Sequence, residues 1–355
     1  MQYCKGTTGC HEKEVVILTD HLNSYIGSLV GVHVGDSLGA PYEQTYTAAK
    51  IAGDIATRGG LTFFDYPNPW AVLKDGNEGI LPAGRPTDDS EQTARLARSL
   101  IACNGLDPTH LRNELYASTF SKESILWNGR STGGGKTTFN ALSDVPARNE
   151  AARKNPIGTN GSLMRSAPLG LWWARHIFDD TDEDVRIAYV QEARTMTFAM
   201  SDVTHAHPHS KDACWLYVLI LAGLLIGNNM EGALACAEDI DPEIKNSKLV
   251  ERIYLSLRDE HLTPYDPGAF PARGAAEFSL YVACFALKHA TSFAEGVEIA
   301  IRVGGDTDTY AAIAGGLLGA HYGYEAIPLE WRTTILGHDQ MVDYAMKIYE
   351  MRFKM

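Results

Sequence analysis

The sequence predicts an all-α protein, and three observations carry that reading. Apolar residues recur at helical spacing along most of the 355 residues. Hydroxyl residues and prolines stand where those stripes begin, as helix-start signals should. Alternating strand patterns, hairpin dipeptides in strand context and repeats of 20–50 residues do not stand out.

Taken in chain order, Leu22, Ile26, Leu29, Val30 and Val34 follow i, i+4, i+7, i+8 and i+12, one face of a first helix. Gly53 to Pro86, rich in Gly, Pro and the aromatics Phe63, Phe64, Tyr66 and Trp70, reads as irregular. Leu96, Ala97, Leu100 and Ile101 form a second stripe, and the glycine cluster from Trp127 to Arg148 interrupts the pattern. Helical spacing resumes over Leu163–His176, Asp184–Phe198 and Ser210–Gly227, with Ser210 at a start. After the proline-bearing stretch Tyr265–Gly274 it returns over Ala275–Thr291, Ala294–Val303 (after Ser292), Thr309–Tyr322 and Met341–Phe353, and Pro328 opens a short segment. Long loops inside a compact domain are often functional. No composition shift marks an internal boundary, so the expectation is one domain over residues 21–355, preceded by an N-terminal extension of residues 1–20.

Composition narrows the function. Hydrophobic residues at 45% and charged residues at 21% exclude a disordered, collagen-like or fibrous chain. Forty-four acidic against 31 basic side chains give a net charge of −13, which argues against nucleic acid as a partner. The polar start, Met1 to Glu14, holds no apolar core of a secretory signal. The longest uncharged apolar stretch, Ala213 to Gly227, is shorter than a membrane span needs and reads as a buried helix. Six scattered cysteines fit a reduced, cytoplasmic protein. Cys4, Cys10 and His11 lack the second half of a zinc site and read as tail.

One apparent motif is rejected. Gly129 to Thr137 resembles a phosphate-binding P-loop, but the required glycine five residues before Gly135 is Arg130, and no hydrophobic strand precedes it. The loop keeps backbone N–H groups that could face an anion, and a plain surface turn explains it equally well.

The chemistry sits at two helix starts. Thr87-Asp88-Asp89-Ser90 opens the Leu96 helix, and Gly304-Gly305-Asp306-Thr307-Asp308-Thr309 opens the helix ending at Tyr322. One such cluster is ordinarily a cap, because Thr, Ser and Asp satisfy orphan N–H groups and suit the helix dipole. A cap needs one oxygen, though, and crowded carboxylates repel unless protonated or bound to a cation. All-oxygen donors suit a hard ion such as Mg²⁺ or Mn²⁺ rather than Zn²⁺. An EF-hand is excluded, because Tyr310 and Ala311 stand where a ligand and the turn glycine belong. Ala311, Ala312, Ala314, Gly315 and Gly316 let the second helix pack tightly, placing its start where it could meet the first cluster.

Five segments in order, from Ser24 to Tyr324, resemble the ADP-ribosylglycohydrolase family. They are Gly31-Val32-His33-Val34-Gly35-Asp36-Ser37-Leu38-Gly39-Ala40-Pro41-Tyr42-Glu43, Thr87-Asp88-Asp89, Asn160-Gly161-Ser162-Leu163-Met164-Arg165, Thr204-His205-Ala206-His207-Pro208 and Gly304-Gly305-Asp306-Thr307-Asp308-Thr309. The resemblance implies a compact orthogonal helical bundle with a binuclear Mg²⁺ or Mn²⁺ centre in a cleft. It implies that Thr87, Asp88, Asp89, Asp306, Asp308 and Thr309 hold two ions, with Glu43, Asp88, Asp89 and Asp306 catalytic. It further implies that Asn160, Gly161, Ser162 and His205 contact ADP-ribose, with Ser131, Gly133, Gly134 and Gly135 near its phosphates. Asp36 reads as structural, His207 as a polar core residue and Arg165 as an ion-pair partner.

The activity so implied is removal of ADP-ribose from protein side chains, arginine first, with serine glycosides and ADP-ribose esters as other linkages. An alternative is a binding protein that neutralises an ADP-ribosyltransferase toxin, with residues 1–20 reaching the partner. A purely structural role is disfavoured because every metal-ligand residue type is present. Discrimination between linkages is expected in Gly53–Trp70 and around Phe278 and Tyr281. ADP-ribose is itself an anion, so part of the acid excess is read as the metal site.

Overall fold

The computed structural model describes residues 9–43, 47–67, 79–131, 133–178, 182–246, 249, 251, 253, 264–265 and 274–353, with side chains described from residue 21 onward except at 245, 246 and 353. Cys4 and the side chains of Cys10 and His11 fall outside these residues, as does most of Tyr265–Gly274. The described chain is helical almost throughout. In order the helices are α1 (Gly9–Gly39), α2 (Ala48–Thr57), α3 (Asp88–Cys103), α4 (Pro108–Tyr116), α5 (Lys136–Leu142), α6 (Pro146–Arg153), α7 (Ala167–Phe178) and α8 (Glu183–Asp202). They continue with α9 (Pro208–Leu225), α10 (Met230–Ile240), α11 (Ala276–His289), α12 (Phe293–Ile301), α13 (Thr307–Tyr322), α14 (Leu329–Thr334) and α15 (His338–Phe353). A two-residue antiparallel ladder pairs Tyr66 with Leu81 and Pro67 with Ile80.

Each long expected stripe forms a helix. Ser292 caps α12 by accepting from Glu295 N–H, and Pro328 opens α14. The expected Leu163–His176 helix begins later, at Ala167, because residues 161–165 turn around the Arg165 side chain. The stretches expected to be irregular hold short helices as well. α2 has only Ile51 and Ile55 as its buried i, i+4 pair, so its periodic signal is a single repeat. α5 and α6 follow the glycine cluster, and α6 starts on Pro146. α4 and α10, absent from the expected set, are marked by caps: Asp107 accepts from Thr109 and His110 N–H, and Asn229 from Gly232 N–H. Phe278 and Tyr281, expected near substrate, are core residues, and Phe278 packs edge-on against Tyr310 with centroids 5.4 Å apart.

The core is built around α1 and α13, which pack along nearly their full common length. Gly27, Gly31, Gly35 and Gly39 recur every fourth residue on α1, a row inclined about 26° to the helix axis on one side of it. A Cβ built on Gly31 would sit 2.1 Å from Gly315 O, and one on Gly35 2.0 Å from Ala311 O. The two backbones therefore touch, and side chains at these positions are excluded by space rather than by conformation. α9, buried from Ala213 to Leu225, packs against α7, α8, α10 and α13, while α15 closes the far side of α1, α3 and α7. No described helix is long and apolar enough to cross a membrane.

This packing gives two opposite outcomes for glycine replacement. Gly35→Ala forces a methyl into Ala311 O and should lower stability by about 2 kcal/mol or more. Gly53→Ala, in α2 with nothing within 4 Å of the new Cβ, should raise it by about 0.5–1 kcal/mol through lost chain entropy. Urea denaturation of the two variants checks both signs.

Candidate metal centre

The α1–α13 contact ends in the site. A Cβ on Gly39 would lie 2.4 Å from Thr307 O, and Thr307 Oγ1 donates to Gly39 O at 2.8 Å. The last turn of α1 thus meets the first turn of α13. Asp36 and Asp308 face each other there, and Glu43 follows the short turn Ala40–Tyr42. The third contributor is the start of α3.

Two groups of acids result. Asp36, Asp89 and Asp308 bring ligand oxygens within 4.8 Å of one another, and so do Glu43, Asp306 and Asp308. Asp308 belongs to both. Asp36 is fully buried and accepts from Thr87 Oγ1 at 2.7 Å, Thr87 N–H at 2.9 Å, Ser90 N–H at 3.1 Å and Ser90 Oγ. Three of these donors meet Oδ2 and one meets Oδ1, so Asp36 anchors the first turn of α3 while Oδ1 keeps a lone pair. Asp89 differs: Thr309 donates to it, but its Oδ1 is buried with no protein donor at all. A buried, uncommitted carboxylate oxygen is costly unless something positive meets it. Asp306 caps α13 with its backbone alone, leaving its carboxylate for the site.

Electrostatics agree. Burial, then the carboxylates of Asp36 and Glu43, push Asp88 up to about 7. Burial, then neighbouring acids, hold Asp89 and Asp308 well above the usual carboxylate range, and burial raises Asp36. The donor set is all oxygen, with no His or Cys in either group, and it fits hard divalent cations. Thr87, Asp88, Asp89, Asp306, Asp308 and Thr309 all stand at this one place.

The surrounding shell was only partly foreseen. Gln92 Nε2 donates to Asp88 Oδ2 at 3.0 Å, one helical turn on from it. The i, i+4 spacing on α3 could have announced this contact. Gly134 N–H also supports Asp88, and a Cβ on Gly133 would lie 1.9 Å from Asp88 Oδ1 at φ +92°. Gly133 is therefore required twice over, while Gly134 and Gly135 border open space. Ser131 is buried and its N–H is bonded to Lys122 O. Glu91 fixes the approach to this loop: it accepts from Arg95, Ser124 Oγ and Ile125 N–H, and Arg95 reaches on to Glu114 and Glu123 O.

On the opposite wall Asn160 Nδ2 donates to Asp306 Oδ2 at 2.8 Å and to Ser279 Oγ at 2.9 Å. Nothing in the sequence pointed to Ser279. Gly161 faces His205: a Cβ there would lie 2.9 Å from Nε2. Ser162 is brought to the same loop but turned inward, where its Oγ accepts from Ser201 Oγ at 2.8 Å and lies 3.4 Å from Cys214 Sγ; only its main chain is left to face a ligand. Two other readings are corrected. His207 is the cap of α9, accepting from His209 N–H, not a core residue. Arg165 has no carboxylate at ion-pair distance among the described residues; its bonds go to neutral acceptors.

An all-helical fold whose three helix ends converge on buried acids is suited to hold hard divalent cations. The comparisons with known proteins give the family. The profile described as ADP-ribosylglycohydrolase matches residues 18–354, and the chain belongs to that family. It is 25% identical to an ADP-ribosylarginine hydrolase, Tri1, of Serratia proteamaculans, over 94% of this chain and 81% of the relative. It is 26% identical to the ADP-ribosyl-dinitrogen reductase glycohydrolase of Rhodospirillum rubrum, over 86% of this chain and 88% of the relative. The zebrafish (Danio rerio) ADP-ribosylhydrolase ARH3 matches at 24% over 93% and 91%. Among solved structures, an ADP-ribosylglycohydrolase-related protein complex covers 94% of this chain and 100% of its own at a TM-score of 0.64, with 23% identity, a likeness of fold. The enzyme hydrolyses glycosidic bonds to ADP-ribose.

The raised carboxylates set a pH dependence. Asp88 keeps its proton in the fold up to about pH 7 but loses it in the unfolded chain near 4. The fold then binds more protons than the unfolded chain, so its stability falls as pH rises. Buried His33 and His205, lowered to about 4 and about 3 by burial first, act oppositely, but only below the ordinary histidine range near 6.5. Over about pH 4 to 6.5 these two effects oppose each other, so the cleaner readout is metal binding. A bound cation needs these carboxylates deprotonated, and Mn²⁺ affinity should fall as pH drops through about 7, where Asp88 takes up its proton; calorimetric titrations at about pH 8 and pH 6 measure it.

Proposed function

We propose that the chain removes ADP-ribose from modified arginine side chains with two Mg²⁺ or Mn²⁺ ions held by Thr87, Asp88, Asp89, Asp306, Asp308 and Thr309. The observation that carries this is the pair of acid groups sharing Asp308, with Asp89 Oδ1 left uncommitted between them and the rest of the protein. Bound there, the ions supply Lewis-acid polarisation of ribose oxygens and of a water.

The remaining steps belong to the chain's own residues. Gln92 and Asn160 hold Asp88 and Asp306 in orientation. Glu43, within 4.8 Å of Asp306 and Asp308, is placed to take a proton from the attacking water or to return one to the leaving nitrogen. Gly161, His205 and the main chain at Ser162 form one wall for ADP-ribose. The loop of Ser131, Gly133, Gly134 and Gly135 forms the other; with the Ser131 and Gly134 N–H groups committed to Lys122 O and Asp88, those of Gly133 and Gly135 are the ones offered to the phosphates. The arginine linkage is supported by the likeness to ADP-ribosylarginine hydrolases of Serratia proteamaculans and Pseudomonas putida. Unpaired Cys103, Cys214, Cys236 and Cys284 support a reducing, cytoplasmic setting.

Release of ADP-ribose from arginine-, serine- and ester-linked substrates with Mg²⁺ or Mn²⁺ tests the reading, and the arginine substrate should turn over fastest. Asp308→Asn should cost at least about a hundredfold in kcat/KM, more than loss of an outer partner does. Asn160→Ala should weaken metal binding by about 10–100-fold, read by calorimetric titration. Activity unchanged in Asp308→Asn would overturn the assignment.

A further inference from the structure

Arg165 is a buried charged group near the site to which the hydrolytic scheme gives no part. It is fully buried and makes four hydrogen bonds: Nη1 to Gln92 Oε1 at 2.8 Å and Gly161 O at 2.9 Å, and Nη2 to Thr204 Oγ1 at 2.7 Å and Met200 O at 3.4 Å. Its four partners lie on α3, on the Asn160–Ser162 turn and at the C-terminal end of α8. Gln92 in turn donates to Asp88, and Thr204 Oγ1 lies 2.7 Å from His205 Nδ1. A continuous chain of hydrogen bonds therefore runs from Asp88 through Gln92, Arg165 and Thr204 to His205.

We infer that Arg165 and Thr204 place the single proton of the His205 imidazole on Nε2, so that His205 enters the cleft as a hydrogen-bond donor. The geometry decides this. Arg165 can only donate, so Thr204 Oγ1 must accept from it. The Thr204 hydroxyl proton then needs an acceptor, and His205 Nδ1 is the one within reach among the described residues. The opposite tautomer would set Nδ1–H against a hydroxyl whose own proton had nowhere to go, a stranded buried donor. Burial, then the adjacent Arg165, keeps the ring neutral, lowered to about 3, while Arg165, lowered to about 10 mainly by burial, keeps its charge. A Cβ on Gly161 would lie 2.9 Å from Nε2, so a glycine there is what leaves room for the imidazole edge.

Two consequences follow for the proposed reaction, on which this inference rests for its ligand. His205 recognises an acceptor oxygen, a phosphate or ribose oxygen of ADP-ribose, and rejects a donor at the same place. Arg165 and Thr204 are positioning residues, setting His205 and the Gly161 carbonyl without touching the ligand.

The test is side-chain ¹⁵N NMR of histidine-labelled protein, with His205→Gln assigning the signal. Wild type should show His205 protonated on Nε2 alone. Thr204→Val, close in shape, should lose that single tautomer. It should also raise the Kd for ADP-ribose and the KM about tenfold, the loss of one hydrogen bond to the ligand, with little change in kcat. Arg165→Lys should retain more of the affinity than Arg165→Met, and if the latter does not fold, Thr204→Val still decides. Protonation on Nδ1 in wild type, or a tautomer and Kd unchanged in Thr204→Val, overturns the inference. Failure to hydrolyse any linkage overturns the hydrolase assignment instead and leaves the NMR result to stand by itself.

Discussion

Everything in the site depends on the backbone contact between α1 and α13. Side chains normally keep helices 8–10 Å apart, but the glycines of α1 at positions 27, 31, 35 and 39 remove that spacer, and Gly315 and Gly319 do the same from α13. The approach ends with Thr307 bonded to Gly39 O. Asp36 on the last turn of α1 and Asp308 on the first turn of α13 are thereby held within ligating distance. A bulkier stripe would leave both helices intact and separate their ends.

The second constraint is electrostatic. Asp36, Asp88, Asp89 and Asp308 are pushed up by burial and by one another. The fold tolerates them by assigning different tasks. Asp36 gives Oδ2 to Thr87 and Ser90, fixing α3 at the site. Asp88 and Asp306 each receive an amide donor, from Gln92 and Asn160. Asp89 is left with an open oxygen. Crowding that would destabilise a metal-free protein is the arrangement that suits divalent cations.

Much of this was legible in the residues. Long stripes such as Leu22–Val34 carry several periods of the helical repeat and specify both helix and buried face. Helices of one or two turns do not: α2 has one apolar pair, and α5 and α6 adjoin glycines that read as loop. The candidate metal ligands stood out because two adjacent carboxylates exceed what a cap uses. The supporting residues were harder. Gln92 could be found from its spacing to Asp88, but Ser279 lies 119 residues from Asn160. Arg165 looked like half of an ion pair, and the fold gave it amide, carbonyl and hydroxyl partners instead.

The sequence by itself determined the helical class and the family and picked out candidate ligand types, because periodicity, capping chemistry and motif order are local properties of a chain. Tertiary structure decided which oxygens converge and which are already committed. Ser162 follows Gly161 directly, yet its hydroxyl turns into the core toward Ser201. Asp36 looked no different from any other helix acid until Thr87 and Ser90 came to it from α3. Hydrogen-bond capacity is spent between segments far apart in sequence, so what remains for a metal or a ligand is fixed only once those segments have packed.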